Sequence, residues 1–160
     1  MPNKLTRTVP RRKTRERGTA LEHGLLPGLL GYQLRLAQLA VFRDFERHVG
    51  TLGVSPGRVG VLALIEANPG VTQSELAQAV GLDRSTMVPL LDGFERRGML
   101  ERRRGADRRT NGLWLTVAGK RLLAQVERRI EAHEERIALR LSRTEREQLM
   151  GLLGKLLPEA

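Results

Sequence analysis

The sequence predicts a mainly α-helical fold that carries one small β-hairpin. Three observations point there. Apolar residues recur at steps of three and four through most of the chain. Helix-start residues precede those runs, and two short strand-like stretches flank a polar, Gly-containing loop past the middle. The 160 residues suffice for one domain with a sizeable core. Only 3% of them are aromatic, so that core must be built mostly from Leu, Val and Ala.

Residues 1–20 hold seven basic side chains, Lys4, Arg7, Arg11, Arg12, Lys13, Arg15 and Arg17, against the single acid Glu16. With almost no large apolar group, this segment reads as a basic disordered tail. It is either simply solvated or an arm that adds sequence-independent phosphate contacts. Residues 21–160 read as one domain. Leu25, Leu29, Tyr32, Leu36, Leu39, Phe42, Phe45 and Val49 mark a long amphipathic helix over 25–49. Ser55 and Pro56 open a second, through Val59, Leu62 and Ile65, that stops near Asn68-Pro69-Gly70. Thr72 with Glu75 fits a capping box for a third, ending at Gly81. Asp83 caps a fourth that runs to about Arg97 and is stopped by Gly98. Leu100–Arg103 and Leu113–Leu115 are the hairpin strands. Thr116 caps a long helix with Leu123, Val126, Ile130, His133 and Ile137 on one stripe. Ser142 and Glu145 box the last, through Leu149, Leu152, Leu153 and Leu156.

A net charge of +10 points to a polyanion, nucleic acid before an anionic membrane surface. No uncharged run exceeds about a dozen residues, against the roughly 20 that span a bilayer. Pro27, Gly28 and Gly31 interrupt the apolar run after the basic start, which argues against a signal peptide and for a cytoplasmic protein. With no cysteine, disulfides and thiolate chemistry are excluded. There is no phosphate-binding Gly loop, no HExxH and no serine nucleophile with a partner, so neither an enzyme nor a cofactor is expected. His23, His48 and His133 are far apart; His133, on an apolar stripe, reads as a core or interface histidine rather than a metal ligand, and no metal is expected.

Residues 71–91 have the spacing of a helix-turn-helix. Ala77 is the small residue where two helices touch, Gly81 supplies the turn, and Met87 and Leu90 face back toward Leu76 and Val80. Any helical hairpin could show part of that pattern. The next segment narrows it: Arg96, Arg97, Arg102, Arg103, Arg104, Arg108 and Arg109 fall within fourteen residues, opposed by Glu101 and Asp107. An arginine-tipped hairpin directly after such a helix is the layout of a winged helix. The helix would enter the major groove and the wing reach the backbone or the minor groove.

Residues 25–157 resemble the winged-helix repressors of the multiple-antibiotic-resistance regulator (MarR) family. The matching residues are Leu82-Asp83-Arg84-Ser85-Thr86, Arg97-Gly98-Met99-Leu100, the triplet Asp107-Arg108-Arg109, and Leu113-Trp114-Leu115-Thr116-Val117-Ala118-Gly119. The resemblance implies a winged helix-turn-helix over 55–115 and dimerisation helices over 25–49 and 116–157. It implies a homodimer on a pseudo-palindromic double-stranded DNA operator, and a repressor released by a small effector such as an aromatic acid. Expected DNA contacts are Arg84, Ser85, Thr86, Arg104, Asp107, Arg108 and Arg109, with Asp107 orienting the loop and Arg109 projecting. Effector pockets in the family lie between the dimer helices and the winged helix. Tyr32, Arg35, Phe42 and Arg43 are plausible liners, since an Arg can pair with a carboxylate; equally, the aromatics are core and the arginines solvated. Val88 and Pro89 depart from the family's polar base-reading positions: Pro89 either fits the helix against its neighbours or touches a thymine methyl. The competing function is an architectural nucleic-acid binder without an effector, using the tail and wing alone.

Overall fold

The computed structural model describes residues 21–104 and 111–157. The expectations for the tail over 1–20, and for Asp107, Arg108 and Arg109, lie outside these residues. The chain divides into two units between Arg35 and Leu36.

In the first unit the long helix starts later than the apolar spacing predicts. Leu26–Gly28 form a 3-10 turn with Pro27 near its start, and α1 runs Leu30–His48 across the division. The reason is local: Pro27 can begin a helical turn but cannot sit inside one, and the Gln33 side chain donates to the Pro27 carbonyl at 2.7 Å.

The second unit contains the rest. α2 (Pro56–Ala67) begins where Ser55-Pro56 places it. Ser55 makes no side-chain cap, so Pro56, preset for the first turn, carries the start. Thr72 and Glu75 form the expected capping box on α3 (Gln73–Val80). Gly81 follows with φ of 66°, a left-handed conformation that only glycine adopts freely. α4 spans Arg84–Arg96, capped by Asp83. β2 (Leu100–Arg104) pairs antiparallel with β3 (Asn111–Leu115). α5 (Val117–Ile137) is capped by Thr116 and α6 (Arg143–Gly154) by the Ser142–Glu145 box. One strand goes beyond the sequence expectation: Val71–Thr72 form β1, which pairs with Leu113 and Gly112, so the hairpin becomes a three-stranded sheet of order β1-β3-β2.

The core lies between α2, α3, α4, α5 and the sheet. Leu62, Ile65, Leu76, Met87, Leu91, Leu113 and Val126 are each less than 2% exposed. α5 approaches the chain before β2 so closely that a Cβ on Gly119 would sit 2.1 Å from the Met99 carbonyl oxygen. α1 joins this core through its last turns, where Phe45 and Val49 are buried. Earlier on the helix the cover is partial: Leu39 is half-buried, while Leu36 and Phe42 stay 43% and 46% exposed. No residue of α6 is fully buried.

Candidate nucleic-acid interface

α4 is anchored by one face and open on the other. Met87, Leu91 and Phe94 recur at helical spacing and are buried, which turns Ser85, Val88 and Pro89 outward; Arg84 shares the buried row by period and is exposed because it is the first residue of the helix. The start of the helix is held firmly. One Asp83 carboxylate oxygen accepts from the Thr86 amide at 2.8 Å and from the Ser85 hydroxyl at 2.6 Å. These bonds, the Ser85 hydroxyl foremost, hold the Asp83 carboxyl below the usual aspartate range. Arg84 reaches back across the turn and donates to Ser74 Oγ at 2.8 Å. Of the three expected contacts, Arg84 is therefore preset against α3, and the Ser85 proton is already committed to the cap. Pro89 lies inside a helix that continues to Arg96; it has no N–H to offer the Ser85 carbonyl one turn back.

The wing strands sort the arginines by alternation. Leu100 points into the core, so Arg102 and Arg104 share its face, while Glu101 and Arg103 take the other. Arg103 pairs with Glu101 and lies 5.4 Å from the centre of the Trp114 ring. Arg102 is held by two acids of α4: its Nη2 is 2.6 Å from Asp92 Oδ1, and its Nη1 bonds Glu95. Arg97 donates to the Gly53 carbonyl. Arg104 is exposed at the end of β2. The positive charge of this region is thus less free than its count of arginines suggests. Sequence counting set only Glu101 and Asp107 against it and missed Asp92 and Glu95, which lie seven to ten residues before Arg102. A groove of about 360 Å³ lies between the starts of α3 and α4 and the wing, lined by Thr72, Gln73, Ser74, Arg84, Arg102, Asn111 and Leu113.

The expected effector residues are placed as follows. In the first unit, Tyr32 is half-buried, with its hydroxyl 3.3 Å from His23 Nδ1, and Arg35 is exposed. In the second, Phe42 and Arg43 are exposed on α1. A different cluster, which the sequence did not reveal, joins α1 to α5. Asp44 accepts from Arg136 at 3.2 Å and lies 2.6 Å from His133 Nδ1 and 3.2 Å from His48 Nδ1. The Arg136 and His133 bonds lower its carboxyl from 3.8 to about 2. His133 is 4% exposed and meets Phe45 edge to face, the core position its stripe predicted. Among the described residues, no group of three or more acidic or histidine side chains is placed to hold a metal. No helix among them is long and apolar enough to cross a membrane.

A capped, outward-facing helix after a tight turn, followed by a basic β-wing, defines a winged helix-turn-helix regulator. Comparison with known proteins makes this specific. Residues 52–110 match the model of the MarR family. A Thauera aromatica protein named as a transcriptional regulatory protein for the hcr operon is 41% identical over 138 residues, spanning 85% of this chain and 83% of that one. Among solved structures, the transcriptional repressor CouR bound to a 23-mer DNA duplex superposes with a TM-score of 0.81 at 38% identity, over 86% of this chain and 99% of that one. CouR bound to p-coumaroyl-CoA gives the same TM-score at 37% identity, over 88% of this chain and all of that one. The chain belongs to the MarR family of transcriptional regulators.

Proposed function

We propose that this regulator is a homodimeric repressor that binds a pseudo-palindromic operator and leaves it when an aromatic acid, or its coenzyme A thioester, binds. The observation that carries the DNA reading is the start of α4: a capped helix end with Arg84, Ser85 and Thr86 exposed beside a wing bearing Arg103 and Arg104. In a two-fold dimer, two such helices enter successive major grooves roughly 34–36 Å apart. Arg84, Ser85 and Thr86 then choose bases or fix the helix on phosphates, and Arg104, Arg108 and Arg109 serve the backbone and the flanking minor groove, with Asp107 orienting them. The relation to CouR, whose complexes hold a DNA duplex and p-coumaroyl-CoA, supports both halves of this reading. Release follows if the effector binds better to a dimer whose two helices have the wrong spacing.

The exposed apolar rows of α1 and α6 favour this reading over an architectural binder, which needs no dimerisation surface. DNA fragments selected by the purified protein should converge on one pseudo-palindrome. Aromatic acids and their thioesters, tested by fluorescence anisotropy on that site, should include one that releases the protein. Selection without a consensus, together with no response to any such compound, would favour the architectural alternative.

A further inference from the structure

Arg102 differs from Arg103 and Arg104, the other wing arginines among the described residues. Strand alternation places it on the face of Leu100, opposite Leu113 in the register, and so against the C-terminal half of α4. There its two terminal nitrogens bond different carboxylates, Asp92 and Glu95. Its side chain is 23% exposed, against 58% for Arg103. Asp92 continues the outward row of Ser85, Val88 and Pro89 at helical spacing, and Glu95 follows it by three residues.

We propose that Arg102 is a positioning residue that does not touch DNA: it struts the wing against α4 by pairing with the two acids on that helix. A guanidinium suits the task, because its planar fork can serve two carboxylates at once while an ammonium acts as a single point of charge. The strut fixes the angle between the base-reading helix and the wing, so that both reach the duplex in one register. The inference rests on the reading that α4 and the wing bind DNA.

The two roles open to Arg102 predict opposite signs. If it were a phosphate contact, Asp92 and Glu95 would compete with the duplex for it, and neutralising them would tighten binding. If it is a strut, neutralising them frees the wing and weakens binding. The test uses the full chain and its selected operator, measured by anisotropy across a salt series, with circular dichroism to confirm folding. The Asp92→Asn/Glu95→Gln double variant and Arg102→Ala should each bind roughly tenfold more weakly, with little change in salt slope. Arg102→Lys should recover only a minor part of the loss. Tighter binding by the double variant would overturn the strut. So would a slope lowered by about one in Arg102→Ala, or full rescue by lysine. Should Arg102→Ala fail to fold, the sign of the double variant still decides. Arg104→Ala is the separate control on the parent reading: unchanged affinity and slope there would count against wing contacts, whatever the strut does.

Discussion

Gly119 carries a constraint out of proportion to its size. Thr116 caps α5 and donates its own amide to the Met99 carbonyl at 3.1 Å, which draws the helix start onto the chain just before β2. A methyl group on Gly119 would lie 2.1 Å from that carbonyl oxygen. No room is left for even one added carbon, and backbone is the atom in the way. Gly119→Ala should therefore cost about 2–3 kcal/mol, read from the midpoint of urea unfolding. An unchanged midpoint would mean that the contact relaxes freely. Asp44 sets a second constraint. Its carboxyl is held at about 2, below its ordinary 3.8, chiefly by Arg136 and His133. A depressed pKa contributes stability that is present above the unfolded value and lost as pH falls through the folded one. Asp44→Asn should accordingly melt below wild type at about pH 6, and the gap should close between about pH 4 and pH 2. A gap of the same size at about pH 2 would assign the loss to packing rather than to charge.

Local chemistry made most of the elements readable. The Thr72–Glu75 and Ser142–Glu145 boxes, Asp83, and Thr116 each start a helix where the sequence places it, because a cap is settled by residues three apart. β1 is hidden in the sequence because two residues are too few to show alternation, and its partners Leu113 and Gly112 lie some forty residues on. Apolar spacing starts the first helix five residues too early because the apolar row continues through Pro27, which backbone geometry does not permit inside a helix. The site was legible to a similar depth. The exposed face of α4 follows from its period, but the arginine cluster had to be sorted by strand parity before its ion pairs could be read. Parity with Leu100 and the acids Asp92 and Glu95 were available in the sequence and together would have found the strut. The Asp44–His133 contact was not, since 89 residues separate its ends.

The whole chain exposes more apolar surface than one copy can use. Met150 is 65%, Leu152 60% and Leu156 53% exposed on and just after α6, while Leu36 and Phe42 are open on α1. A two-fold mate is the simplest cover for such rows. Leu152 is a better probe than Leu153, which is half-buried within its own chain and would confuse interface with fold. Leu152→Glu should convert the dimer to monomer in light scattering with little loss of helix by circular dichroism; a dimer that persists would move the interface elsewhere.

In the proposed function, α4 and the wing read DNA while the basic tail supplies only charge. The most direct test of that division compares operator with scrambled duplex across a salt series for wild type, Arg109→Ala and a chain lacking residues 1–20. Arg109→Ala should lose about 1–3 kcal/mol on the operator and flatten any preference for A·T flanks. Deleting the tail should weaken both duplexes alike and reduce the salt slope. Unchanged operator binding by Arg109→Ala, with discrimination lost on removing the tail, would contradict the division.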